Sequence, residues 1–283
     1  MRFDILVTGL TAGSIYALVG VSLNVIYRRT NIFNLAQGNL VMLGGLVCAS
    51  ALTALALPWY VAALLSALFV GLVAFATDWV AVAPVLSRRG GGGHGWLVTT
   101  LAVGLIIENV VGKIVGPDPM RIPPPPPLSV HPINFGAFAI SSYQIGVIAI
   151  VALIVVALEA FYATRTGRAI LAVAEDREAS LLRAIDPLHL ARLSFFVSGL
   201  IAGLAGILAG PMFYASVGLD GSLLIRGFEA AAMGGIGSDR APLSPDYCSG
   251  SSRPIRRRCW RPAIRTRRRW RSRSAFCSRA GKA

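Results

Sequence analysis

The sequence predicts an all-α, polytopic integral membrane bundle with about six recognisable spans and a disrupted C-terminal region. Three observations predict it. Of 283 residues, 55% are hydrophobic and only 14% charged, and the mean hydropathy is +0.65. The apolar residues fall in long blocks rather than amphipathic stripes, and several blocks reach the roughly 20 residues a helix needs to cross hydrocarbon. No water is available there to satisfy exposed backbone, so a crossing segment must be helical. Finally, Lys and Arg are abundant in every second loop and sparse in the loops between.

The first span runs from about Ile5 to Tyr27 and ends at Arg28-Arg29. It lacks the basic n-region of a cleavable signal peptide and is spanning length, so it reads as an anchor that stays. A polar interruption from Asn31 to Asn39 comes next, then an apolar run from Leu40 to Leu57. The third span covers about Tyr60 to Val82, and its loop holds Arg88-Arg89 and Gly90 to Gly93. The fourth covers about Trp96 to Val115. Pro123 to Pro127 then favour polyproline geometry and end any helix. The fifth covers Tyr143 to Tyr162. A charged segment, Arg165 to Arg192, leads to a sixth from about Leu193 to Tyr214.

The loops after spans one, three and five hold nine Arg, against at most four basic residues on the other side. Positive charge stays in the cytoplasm, which predicts an N-terminus outside.

The net charge of +14 belongs to the end of the chain. Residues 240–283 carry 14 Lys and Arg and one acid, Asp246, whereas residues 1–239 are close to neutral at +1. This divides the chain into a membrane domain, 1–239, and an aberrant basic tail, 240–283, predicted to be disordered. The tail has one reading as a nucleic-acid or lipid-binding segment. The other is a shifted reading frame. Joining each free third base to the next two bases makes Asp246–Tyr247, Tyr247–Cys248, Cys259–Trp260 and Phe276–Cys277 encode Leu. The shifted frame thus restores apolar helix sequence where the given frame has none, and consistency with the apolar body favours it.

Motifs for chemistry are scarce. Cys48 sits in a span and Cys248, Cys259 and Cys277 in the tail, without zinc spacing and with no histidine nearby, so no metal is expected. Gly90 to Gly93 with His94 lack the Lys-Ser/Thr of a phosphate loop. No nucleophile–base set or carboxylate pair stands at usable spacing, and the chain is predicted not to be an enzyme.

The transport signals are polar groups within apolar surroundings. Asn31, Asn34 and Gln37 are expensive beside spanning runs unless they line or support a passage at a broken helix, the alternative for Asn31 being an ordinary loop. Glu108 and Asn109 lie inside the fourth span, serving a substrate path or a bond to another helix. Asp78, near a span end, reads as interfacial. Gly9 to Ser14 read as small residues that let helices approach closely. Residues 167–187 read as a cytoplasmic amphipathic helix, with Leu171, Leu181, Leu182 and Ile185 on its apolar face, that docks on a partner or the membrane.

In order, Gly9 to Tyr27, Asn31-Ile32-Phe33-Asn34-Leu35-Ala36-Gln37-Gly38, Met42-Leu43-Gly44-Gly45, Gly167-Arg168-Ala169, Ala174 to Ala179, Ala202 to Gly206 and Gly234 to Ser238 resemble the LivH-type permeases of branched-chain amino acid ABC transporters. The resemblance covers about residues 5–238. It implies an inner-membrane permease that pairs with a LivM-like permease, two cytoplasmic ATP-binding subunits and a periplasmic substrate-binding protein. ATP would be bound by those partners and no cofactor by this chain. Gly167, Arg168, Ala169, Glu175, Asp176, Ala179 and Asp186 would then belong to the ATPase-coupling region, 165–192. Two departures stand out. Asn39 occupies a position commonly acidic in the family, and the Gly-Ala-rich continuation after Ser238 is absent from the given frame. An ion-coupled secondary transporter of a small polar solute, and a membrane protein using its basic tail to bind nucleic acid or lipid, remain as rival readings.

Overall fold

Every apolar block becomes a helix, because only helical backbone satisfies its own hydrogen bonds in surroundings without water. The computed structural model describes residues 2–30, 33–87, 95–116, 118–130, 132–135, 138–175 and 187–235. In chain order the helices are α1 (Arg2–Thr30), α2 (Gln37–Ala54), α3 (Trp59–Thr77), α4 (Ala83–Ser87) and α5 (Gly95–Val115). After them come α6 (Ser142–Ala163), α7 (Arg165–Glu175), α8 (Pro187–Phe213) and α9 (Leu219–Gly234). A π-helical turn, Asp78–Val82, joins α3 to α4. Among the described residues six stretches are long and apolar enough to cross a membrane: Ile5–Arg28, Gln37–Ala54, Trp59–Val85, Gly95–Val115, Ser142–Ala163 and His189–Phe213.

Three features depart from the sequence expectation. The polar triplet Gln37-Gly38-Asn39 lies inside the first turn of α2 instead of in a loop. The chain after the proline run forms an antiparallel hairpin, β1 (Pro132–Phe135) and β2 (Phe138–Ser141), with Pro132 opposite Ser141. Proline stops a helix but does not set the conformation of the next segment. The third is α9, whose Arg226 and Glu229 break the apolar run that would have announced it.

α8 and α2 form the centre. Some 72% of the α8 span and 67% of the α2 span are buried, against 17% for α5 and 22% for α6. Absent side chains make this possible. A Cβ on Gly44 would come within 2.6 Å of the Gly203 backbone, and one on Gly203 within 3.1 Å of Ala67. Backbones this close gain dispersion contacts that do not depend on any hydrophobic drive, which is weak between helices in lipid. The Ser66 hydroxyl donates to the Gly44 carbonyl at 2.7 Å and pins α3 to the same point.

The close approach of α1 does not fall at Gly9 to Ser14, the stretch its small residues suggest, and here the structure corrects the sequence expectation. Gly9 and Gly13 have nothing within 4 Å of a built Cβ. The contact falls at Gly20, where a Cβ would meet the Gly227 carbonyl at 2.9 Å and the Ala231 nitrogen at 3.1 Å on α9. At the far end of the bundle, Met120 and Ala215 exchange two backbone bonds at 2.8 Å. The Trp59 indole donates to the Pro123 carbonyl at 3.0 Å, so the proline segment is tied across the ends of α3 and α8.

Candidate functional site: a buried amide knot and a charged helix face

The polar break after α1 closes on itself. The Asn34 carbonyl side-chain oxygen accepts from the Ala36 backbone N–H at 3.1 Å, and its main-chain carbonyl accepts from Gln37 N–H at 3.2 Å. This is the local bonding by which Asn builds a turn ahead of a helix. The Asn34 amide then donates to Gln37 Oε1 at 3.2 Å. Gln37 Nε2 donates to Ser22 Oγ on α1 at 2.9 Å and to Ser198 Oγ on α8 at 3.0 Å. Both serines spend their own protons on carbonyls: Ser22 on Val19 at 2.7 Å, Ser198 on Ser22 at 2.7 Å. All four side chains are buried. One glutamine therefore ties three helices together, and each donor and acceptor of its amide has a partner. Burial without such pairing would cost a full desolvation penalty per group.

Sequence reasoning missed Ser22 and Ser198. They are 15 and 161 residues from Gln37, and a serine in a span carries no local signal of its partner. Asn31 lies outside the described residues.

Glu108 and Asn109 are not brought to this knot. They sit on α5, where Thr100, Gly104 and Val111 are the buried positions. Asn109 is exposed and its amide bonds back to the Leu105 carbonyl at 2.7 Å, while Glu108 is half-buried. Between α2, α3 and α5 lies an apolar cavity of about 360 Å³, lined by residues including Leu43, Val47, Phe69 and Val110. Asp78 is not interfacial in exposure: it is buried and faces Arg192 of α8 at 3.9 Å, at the π-helical turn.

On α9 polar groups are handled differently. Leu223, Gly227 and Ala231 face α1 and α2 and are buried. Arg226 and Glu229, one turn apart, are exposed. The Arg226 guanidinium lies 5.4 Å from the centre of the Tyr16 ring, which stacks on Phe213 at 6.1 Å. Toward the other end of α9, Phe228 meets Phe33 edge-on at 5.5 Å, and Phe33 stacks on Tyr27 at 4.3 Å.

The Gly167-Arg168-Ala169 motif sits at a sharp corner between α6 and α7. The Thr164 hydroxyl accepts from the Gly167 N–H at 3.2 Å, and Arg168 Nε donates to the Ala163 carbonyl at the end of α6 at 3.1 Å. Any Cβ on Gly167 would collide with the Phe161 and Tyr162 backbone. Ala169 is half-buried and Ile170 is fully buried, so α7 is anchored as well as amphipathic. Glu175 ends α7, and Asp176, Ala179 and Asp186 lie outside the described residues.

Six apolar spans gathered on a centre whose Gln37 amide is fully paired in the interior define a multi-pass membrane protein. The chain belongs to the family described as the permease component of branched-chain amino acid transport systems, which matches residues 5–244. It is 29% identical over 250 residues to the high-affinity branched-chain amino acid transport permease protein BraD of Pseudomonas aeruginosa, covering 82% of this chain and 79% of that one. It is 28% identical to LivH of Escherichia coli K12, covering 81% and 78%. A probable LivH of Methanocaldococcus jannaschii is 26% identical, covering 86% and 77%. No solved structure matches the chain.

Proposed function

We propose that the chain is the inner-membrane permease subunit of an ABC importer for branched-chain or similar amino acids, with its N-terminus outside. The observation that carries this reading is the family match over residues 5–244. The subunit pairs with a LivM-like permease and receives substrate from a periplasmic binding protein. Two ATP-binding partner subunits hydrolyse ATP to drive alternating access. Asn31, Asn34 and Gln37 support the passage at the broken junction of α1 and α2, whereas Glu108 and Asn109 lie away from that junction on α5.

The corner at Gly167 supports a coupling role for Gly167, Arg168, Ala169, Glu175, Asp176, Ala179 and Asp186. Arg168 holds the last carbonyl of α6, and Ile170 is buried in the bundle, so a push on α7 reaches the spans without being absorbed by a loose loop.

Co-expression with both ATP-binding subunits tests the reading. Leucine uptake by the assembled system is expected to persist when a protonophore collapses the ion gradient and to stop when ATP is depleted. Deleting residues 165–186 is expected to abolish co-purification of the ATP-binding subunits. Uptake that tracks the ion gradient instead would establish the secondary transporter.

A further inference from the structure

Tyr16 is the twelfth residue of the 24-residue span Ile5–Arg28, and Arg226 lies over its ring. That places a guanidinium near mid-span. Glu229 comes one turn later on the same uncovered stripe of α9. Among the described residues Arg226 has the Tyr16 ring as its partner and Glu229 has no hydrogen bond or ion pair. Ionisable groups at such depth face protein or a water-filled cavity, because bulk lipid gives them nothing to solvate their charge.

Resting on the amino-acid permease reading, we propose that Arg226 and Glu229 form the subsite that receives the α-carboxylate and α-ammonium of the transported amino acid. Residues at i and i+3 on a helix stand about 5–6 Å apart at Cβ. A zwitterion whose two charges share one carbon fits between arms rooted that far apart. The arginine fork takes both carboxylate oxygens, and the glutamate takes the ammonium. The two aromatic groups provide the apolar remainder. Tyr16 with Phe213, and Tyr27 with Phe33 and Phe228, stand on either side of the charged pair, at α1 positions about 16 Å apart along the helix. A branched aliphatic side chain has a face to lie on whichever way it leans. The contrast with the knot is chemical: there each donor and acceptor of the Gln37 amide is already taken, whereas here both charges still have capacity for a ligand.

Site-directed labelling of the full chain in membrane vesicles, co-expressed with its partners, tests this. Cys48 is buried, and Cys248, Cys259 and Cys277 are changed to Ser. Met233→Cys, on the same stripe and with both charged residues in place, is expected to react with a charged methanethiosulfonate at least 10-fold faster than Leu153→Cys on the exposed face of α6. Leucine is expected to slow that reaction at least threefold. Leucinamide, which lacks the carboxylate, and 4-methyl-2-oxopentanoate, which lacks the ammonium, are expected not to. Labelling as slow as at Leu153→Cys would put the stripe against lipid or a partner helix and overturn the proposal. Fast labelling that leucine does not slow, or that all three compounds slow equally, would overturn it as well. Adding Arg226→Gln or Glu229→Gln to Met233→Cys is expected to abolish the protection by leucine, and protection that survives both changes would overturn the proposal. A wild-type system that takes up no leucine is a separate failure, of the transport reading, and is visible without any variant.

Discussion

The α1–α2–α8 junction and α9 both meet α1, and they treat polar groups in opposite ways. At the junction, Asn34, Gln37, Ser22 and Ser198 are sealed from solvent and share their hydrogen bonds among themselves and nearby carbonyls. On α9, Arg226 and Glu229 remain uncovered, with one aromatic contact between them and the bundle. The first arrangement fixes where three helices sit. The second leaves interaction capacity for whatever comes against the bundle. Fixed helices and spare capacity are separate needs of a transporter, and this chain places them on different neighbours of one helix.

The largest test of that contrast is steric. Gly203→Leu forces a side chain into α3, where its Cβ alone would meet the Ala67 Cα at 3.1 Å and the stiff, β-branched Val70 at 3.2 Å. Overpacking of this kind costs about 1–3 kcal/mol or more, a large part of the stability of an ordinary domain. Gly203→Leu is expected to lose most of the folded chain from the membrane, measured as detergent-soluble protein eluting in one peak. Gly13→Leu, with nothing within 4 Å, is expected to leave that peak unchanged. Equal yields for the two would show that the centre is no tighter than the rim.

A smaller effect is expected from unpicking the knot. Gln37→Leu keeps the volume but removes the bonds to Ser22, Ser198 and Asn34. Interhelical hydrogen bonds within membranes average about 0.6 kcal/mol, so two or three of them amount to about 1–2 kcal/mol. The expected result is a lower thermal midpoint of the purified protein. Ser22→Ala combined with Ser198→Ala is expected to lower it by a similar amount, and adding Gln37→Leu to that pair is expected to cost little more, because the three share one set of bonds. Additive losses would mean the groups act independently and the knot is not a unit.

How far this contrast was legible in the sequence depends on where each signal lies. Asn34 and Gln37 announced themselves because three amides beside spanning runs are costly, and the turn at Asn34 is a local structure. Their serine partners were hidden, since pairing across 161 residues is set by packing and not by spacing. Glu108 and Asn109 announced themselves equally loudly, yet they fall on the least buried span and away from the knot. The spans themselves were legible from length and hydropathy. α9 was not, since Arg226 and Glu229 interrupt its apolar content, so the residues that leave it a charged face are those that hide the helix. Gly9 and Gly13 show the converse: small residues permit close approach without specifying a neighbour, and Gly20 is the one that meets α9. At the corner of α6 and α7 the Gly167-Arg168 pair was legible as a motif, but its bonds to Thr164 and Ala163 needed the fold.

The smallest expected effect falls on the rim, and it separates a ring that solvates a charge from one that merely fills space. Tyr16 contributes a face to Arg226 and a stack to Phe213, and no hydrogen bond of its hydroxyl enters either contact. Tyr16→Phe is therefore expected to leave the thermal midpoint unchanged. Tyr16→Leu loses the cation–π contact, worth about 0.5–1 kcal/mol at an exposed site. It is expected to shift the midpoint by less than Gln37→Leu does. The double variant with Arg226→Gln isolates the contact itself. If the ring and the guanidinium interact, losing both costs less than the sum of the separate losses, because the second change has no contact left to break. If the two losses simply add, Arg226 takes nothing from Tyr16, and the aromatic floor under the charged stripe is only packing.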